Sequence, residues 1–198
     1  RYTFLSLSDR YSFSYTLRSI RDQGDDLQRK KLITTGDHTI GALSSDFIFE
    51  NRESLSWPTR GSFTKISVTK ADYFLGGQYK YWKVDFLNSL YFPLRDSLVY
   101  ALNFSFTSFY NIERKEGSHQ VLPTSERLTA HGPSMVRGFH EHLGPYVKLD
   151  GDKDFLGGGT RRVLFKNEVR KKLTPNIAGS YFIDMGNNFF TEEEENKY

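Results

Sequence analysis

The chain has no cysteine among its 198 residues, which excludes disulfide scaffolds and thiolate metal sites together. It also lacks long apolar runs, so no helix here crosses a bilayer, a task that needs about 20 consecutive apolar residues. A large excess of charge of one sign is missing too. At a net charge of +3, the basic clusters Arg29-Lys30-Lys31 and Arg170-Lys171-Lys172 suit lipid head groups or water better than nucleic acid. There is no initiator methionine and no signal peptide, and the chain opens at Arg1 in strand-like sequence, so a mature segment or a piece of a longer polypeptide is expected. What is abundant is aromatic. With 17 Phe, 12 Tyr and 2 Trp the chain is no disordered segment, yet its mean hydropathy is −0.56.

Alternation accounts for that combination. Over 98–106, Leu98, Tyr100, Leu102, Phe104 and Phe106 share one face, while Val99, Ala101, Asn103 and Ser105 share the other. A period of two over about nine residues suits a tilted membrane-crossing strand. Upstream, Trp82, Val84, Phe86, Leu90 and Phe92 oppose Lys83, Asp85 and Ser89. Downstream, Val163, Phe165, Val169 and Leu173 oppose Arg162, Lys166, Glu168 and Arg170; Tyr181, Ile183 and Met185 oppose Ser180, Phe182 and Asp184. Weaker alternation marks Tyr11, Phe13, Tyr15 and Leu17, then Phe47 and Phe49, then Ile66 and Val68. About seven or eight strands result, with no amphipathic helix between them. Turn signals at 57–61, 76–77, 93–96 and 174–176 separate them. Short connections follow Phe74, Phe92 and Leu173, and long ones cover roughly 21–38 and 111–160.

A soluble β-sandwich also alternates. Two features favour a barrel: serial full charges on one strand face, as a wet lumen demands, and an aromatic opposite face, as lipid interfaces demand. The expected fold is all-β, a transmembrane antiparallel β-barrel. All of 1–198 forms part of that one domain, and 111–160 is a long loop of the kind that carries function.

That loop contains Val136-Arg137-Gly138-Phe139, preceded by Glu126-Arg127-Leu128 and His131-Gly132-Pro133, and followed by Leu143-Gly144-Pro145 and Leu156-Gly157-Gly158. Further along stands Phe182-Ile183-Asp184-Met185-Gly186-Asn187; upstream stand Glu50-Asn51-Arg52 and Trp57-Pro58-Thr59-Arg60-Gly61. This ordered set, over roughly 50–190, resembles the BamA-like outer-membrane assembly factors with their VRGF signature, F-x-D-x-G-N strand and P-T-R-G hairpin. His131 stands where that family commonly has Gly, and Glu-Asn replaces the commoner acidic residue before Arg52. The resemblance implies that 111–160 is an extracellular loop folded back into the lumen.

An arginine on such a loop needs a counter-charge, because an unpaired cation in a protein-lined lumen is costly. Parity turns Glu168 and Asp184 inward from adjacent strands, and a guanidinium's planar fork suits two carboxylates better than a lysine does. Gly138 permits a backbone conformation other residues avoid, and Phe139 is expected to pack against the inner wall. The candidate set is therefore Val136, Arg137, Gly138, Phe139, Glu168 and Asp184. These residues either brace the barrel or act directly in transport.

Other patterns suggest chemistry without completing it. His140 and His142 share a strand face but lack a third metal ligand. Asp150-Gly151-Asp152-Lys153-Asp154 opens like a calcium loop, but Phe155 and Arg161 occupy the positions that need Gly and Glu. Gly157-Gly158-Gly159 is not followed by the Gly-Lys-Ser/Thr of a phosphate loop. No serine sits in a G-x-S-x-G context, and 192–195 is a solvated acidic run. No catalytic residue, metal or cofactor is expected.

The resembled family has a barrel of about sixteen strands preceded by periplasmic POTRA repeats, and its last strand forms a lateral gate with its first. This chain then corresponds to the C-terminal half without the final gate strands. Open edges have no partner in lipid, so the remainder of the same barrel is expected to complete the wall. The resemblance implies a non-enzymatic, ATP-independent insertase that folds β-barrel proteins into the bacterial outer membrane, or less favourably an organellar one. Its partners would be unfolded outer-membrane proteins, the lipid bilayer and periplasmic lipoprotein or accessory subunits, with no nucleic acid. The alternatives are a protein-translocation pore of the same superfamily, the barrel of a phospholipase fusion, or a diffusion channel.

Overall fold

The computed structural model describes residues 2–5, 9–22, 36–95, 97–114, 122–123, 126–130, 132, 134–138, 146–149, 152–155, 158–174 and 176–190. Phe139, the histidines at 140 and 142, the basic cluster at 29–31, Asp150 and the acidic run at 192–195 lie outside the described residues. The described strands are β1 (Tyr2–Leu5), β2 (Asp9–Asp22), β3 (Gly36–Glu50), β4 (Gly61–Ala71), β5 (Tyr79–Arg95), β6 (Leu98–Arg114), β7 (Tyr146–Leu149), β8 (Asp152–Phe155), β9 (Arg161–Lys172) and β10 (Ala178–Phe189). Eight of them, in the order β1-β2-β3-β4-β5-β6-β9-β10, form one antiparallel sheet that does not close on itself. Strands β7 and β8 form a separate hairpin inside the long loop. Sequence alternation did not reveal that hairpin.

Pairing follows parity except at two irregularities between β5 and β6. Phe104 faces Asn88 and Phe165, and Phe106 faces Phe86 and Val163, so the aromatic positions of three strands align on one face. Cross-strand ring contacts stabilise that face: Tyr11 with Phe47 at 4.8 Å, Phe86 with Phe104 at 6.0 Å and Phe92 with Tyr100 at 6.2 Å between centroids. It is bare. Tyr15, Leu17, Tyr181 and Ile183 are 54%, 57%, 75% and 55% exposed, an arrangement that water penalises and lipid favours. Polar groups on the same face satisfy one another, as lipid contact requires. Asn88 Nδ2 donates to Thr64 Oγ1 at 2.8 Å, and the Tyr100 hydroxyl donates to Asn167 Oδ1 at 2.6 Å. Trp82 stands opposite Tyr110 near one end of the face, and Phe92 opposite Tyr100 near the other. Ten residue steps at about 3.3 Å, tilted about 45°, separate those belts by roughly 23 Å, close to the height of an outer-membrane apolar band.

The opposite, inner face is polar and internally bonded. Asp46 accepts from Ser12 at 3.2 Å and Ser67 at 2.6 Å, Asn103 donates to Ser89 at 2.7 Å, and Thr107 donates to Asp85 at 2.9 Å. Part of the long loop lies on this face. Leu122 and Leu128 pack with Ile40, Ala42, Ala71, Tyr79, Tyr81 and Phe109 into an apolar plug.

Antiparallel order sorts the connections onto two rims. The ends of β3 and β4, of β5 and β6, and of β9 and β10 that are joined meet at one; those of β2 and β3, of β4 and β5, and of β6 and β9 meet at the other. The connection through Phe74, expected among the short turns, therefore belongs to the long-loop rim. Pro93, Leu94 and Arg95 lie within β5 rather than in a turn, with a register irregularity between Pro93 and Arg95. Proline has no ladder donor and is tolerated at such a break. Strand β6 extends to Arg114, so the loop begins at 115 rather than 111.

Candidate functional site

Residues 126–138 cross the inner face of β6, β9 and β10, and three kinds of contact hold them there. Backbone pairing comes first: Leu128 and Gly159 exchange N–H···O bonds of 2.8 and 2.9 Å. Wall side chains then cap loop carbonyls. Arg162 Nη1 donates to Thr129 O at 3.1 Å, Lys166 donates to Ser134 O, and Asn188 donates to Leu128 O. The third contact is steric. Val136 is buried with Ala130 and Leu164, above Gly186. A Cβ on Gly186 would meet Leu164 Cδ2 at 2.5 Å and Val136 Cγ2 at 3.0 Å. Glycine there leaves room for the motif's valine.

Arg137 follows and enters a two-carboxylate clamp. Its Nε donates to Asp184 Oδ2 at 2.6 Å and its Nη2 to Asp184 Oδ1 at 2.7 Å, a fork-to-fork bidentate pair. Nη1 donates to Glu168 Oε2 at 3.0 Å, and the backbone N–H of Arg137 adds a 3.1 Å bond to Asp184. The guanidinium also lies over the Phe182 ring, 3.6 Å from its centroid. The bond to Asp184, above all, drives the guanidinium pKa above its ordinary value, so Arg137 stays charged at any physiological pH. Register explains the convergence. Phe182 pairs with Glu168, and Asp184 with Lys166, on the same side of neighbouring strands. Gly138, at φ +95°, uses the left-handed conformation to turn the chain immediately after the arginine.

Glu168 is shared. Its second oxygen, Oε1, accepts from Arg170 Nε at 2.9 Å. The Arg170 guanidinium reaches the rings of Trp57 and Tyr91, at 5.9 and 5.6 Å. Trp57 belongs to the connection at the opposite rim, where Arg52 makes a bidentate pair with Glu50 (2.6 and 2.7 Å) that holds its guanidinium pKa above the usual value. A cavity of about 670 Å³ lies beside the clamp, lined by Lys65, Asp85, Asn103, Arg162, Lys166 and Arg170 among others.

Five of the six sequence-derived candidates thus meet at one place: Val136, Arg137, Gly138, Glu168 and Asp184. Phe139 lies outside the described residues. Sequence alternation had placed Arg162, Lys166 and Arg170 on the correct face without giving them partners. It missed Phe182 as the platform beneath Arg137 and Trp57 as a neighbour of Arg170. It also left out Asn188, the buried inner-face asparagine that holds Leu128; parity from Asp184 would have identified it.

Comparison with known proteins accords with this fold. No curated protein sequence matches the chain. Among solved structures, BamA from Haemophilus ducreyi lacking POTRA domains 1–3 is similar, with a TM-score of 0.76 at 21% identity. The match covers 98% of this chain and 41% of that one, so the chain spans about two fifths of its length. Residues 3–198 match the Omp85 superfamily domain. The chain belongs to the Omp85 superfamily, and its unclosed antiparallel sheet is part of a BamA-like barrel.

Proposed function

We propose that this chain forms part of the wall of an outer-membrane barrel that assembles other β-barrel proteins into the bacterial outer membrane, without enzymatic chemistry and without ATP. The observation that carries it is the clamp, in which Arg137 from the loop is fixed by Asp184 and Glu168 of two neighbouring strands. That arrangement holds residues 134–138 against the inner wall formed by β9 and β10. Unpaired strand edges are templates for incoming strands, and the remaining strands of the same barrel would supply the gate. Its substrates would be unfolded outer-membrane proteins, and periplasmic lipoprotein or other accessory subunits its partners.

The test is reconstitution of the full-length protein in vesicles with an unfolded outer-membrane protein and a small fluorescent solute. Accelerated, nucleotide-independent insertion of the protein into the bilayer is the expected result. Delivery of the protein into the vesicle interior would replace the proposal with a translocation pore. Solute flux without insertion would replace it with a channel.

A further inference from the structure

Residues 126–130 and 134–138 of the long loop lie on the inner face, but the 72–78 connection at the same rim folds outward. Pairing of β3 with β4 ends at Ala42–Ala71, and the connection then runs along the stretch of β3 that β4 leaves unpaired. Asp72 N–H donates to Gly41 O at 3.2 Å, and Gln78 N–H donates to Thr39 O at 2.8 Å. Between them Tyr73–Leu75 form a single 3₁₀ turn, capped by Asp72 at its start and ended by Gly76 at φ +86°.

The side of the sheet it occupies follows from three contacts. Gly41 has outer-face parity, and a Cβ there would stand 2.0 Å from the Leu75 carbonyl oxygen, so the turn lies flat on that face. The Tyr15 hydroxyl donates to the same Leu75 oxygen at 2.9 Å. A Cβ on Gly76 would lie 3.3 Å from Leu17 Cδ1. Tyr15 and Leu17 both belong to the bare aromatic face. The turn therefore covers the end of that face and presents Phe74, 76% exposed, from its tip.

This position is continuous with the aromatic belt at that rim. Trp82 and Tyr110 face each other there, each with a cation over its ring: Lys70 at 4.8 Å and Arg161 at 5.6 Å. Aromatics paired with lysine and arginine at the end of an apolar strand face are the groups that partition to the boundary between head groups and acyl chains. A phenylalanine held on a capped, hydrogen-bonded turn beside them enters that boundary with little ordering left to do.

We infer that the 72–78 connection is a membrane-interface anchor, with Phe74 seated in the bilayer's head-group boundary on the long-loop side. The inference rests on the membrane-barrel proposal, and the experiment separates the two. Single cysteines replace Phe74, Met185 and Leu55 in the full-length protein. Each carries a nitroxide in phosphatidylcholine–phosphatidylglycerol vesicles and is read by collision with oxygen against a water-soluble nickel chelate. Met185 reports the outer face, and Leu55, 71% exposed, reports the opposite rim. The label at 74 is expected to show an oxygen-to-nickel ratio several-fold above that at 55. Gly41→Val, which pushes on the Leu75 carbonyl, should return the 74 label to the aqueous value while leaving the 185 label unchanged. A 74 label as nickel-accessible as the 55 label, beside a lipid-like 185 label, would overturn the anchor alone. A water-like 185 label would overturn the barrel and the anchor together. A 74 label unmoved by Gly41→Val would overturn the role given to the outward-folded turn.

Discussion

Replacing Arg137 with alanine should release the tip of the long loop and leave its base in place. The substitution removes three side-chain hydrogen bonds and the stacking on Phe182. It leaves the Asp184 side chain, 1% exposed, without its bidentate partner. Breaking a buried ion pair costs about 3–5 kcal/mol. Arg137 retains 26% exposure, and the backbone N–H of residue 137 still serves Asp184, so about 2–3 kcal/mol is expected, or a 30- to 150-fold shift in the opening equilibrium. Hydrogen exchange locates the effect. The Val136 N–H, bonded to Ala130 O at 3.1 Å, should exchange faster by about that factor. The Leu128 N–H, bonded to Gly159 O beside the apolar plug, should keep its wild-type rate. Equal acceleration at both amides, or at neither, would refute the reasoning that clamp and plug are separate anchors.

The other predictions concern the parts of the clamp. Gly186→Ala should accelerate exchange at Val136 with every charge intact, because its new Cβ collides with Leu164 and Val136; a cost of about 1–3 kcal/mol is expected from overpacking, and an unchanged rate would contradict it. Asp184→Asn should release the tip more than Glu168→Gln, since Asp184 accepts three of the four bonds from Arg137; the reverse order in the same exchange measurement would count against the assigned geometry. Arg170→Gln should make a nitroxide at position 55 more mobile by loosening the packing on Trp57. It should also be non-additive with Arg137→Lys by about 0.5–1 kcal/mol, since both guanidinium groups use Glu168; strict additivity would exclude coupling between the rims.

Much of this was legible in the sequence because a membrane barrel writes its geometry as parity. Once β6, β9 and β10 were recognised as strands, their even and odd positions fixed which side chains face inward. Glu168 and Asp184 could then be proposed as partners of Arg137 from position alone. What parity does not encode is where a connection goes after its strand ends. The inward course of 126–138 depends on Gly186 leaving space and on Asn188 and Arg162 supplying donors. The outward course of 72–78 depends on Gly41 admitting a carbonyl. Each is a tertiary contact between residues more than thirty positions apart. The extent of β3 was obscure for another reason: Ile40, Ala42 and Ile48 lie on its inner face while Thr39, Gly41 and Ser45 lie on its outer face, so the apolar–polar alternation breaks down there. The hairpin β7–β8 is four residues per strand, too short for periodicity to register.

The most direct measurement is insertion of an unfolded outer-membrane protein into vesicles by the full-length protein, wild type against Arg137→Ala, with the folded state of both barrels verified by heat-modifiable mobility. The account predicts a correctly folded barrel with an exposed loop tip and a clearly reduced insertion rate. Wild-type insertion by a variant whose loop tip is demonstrably released would contradict it.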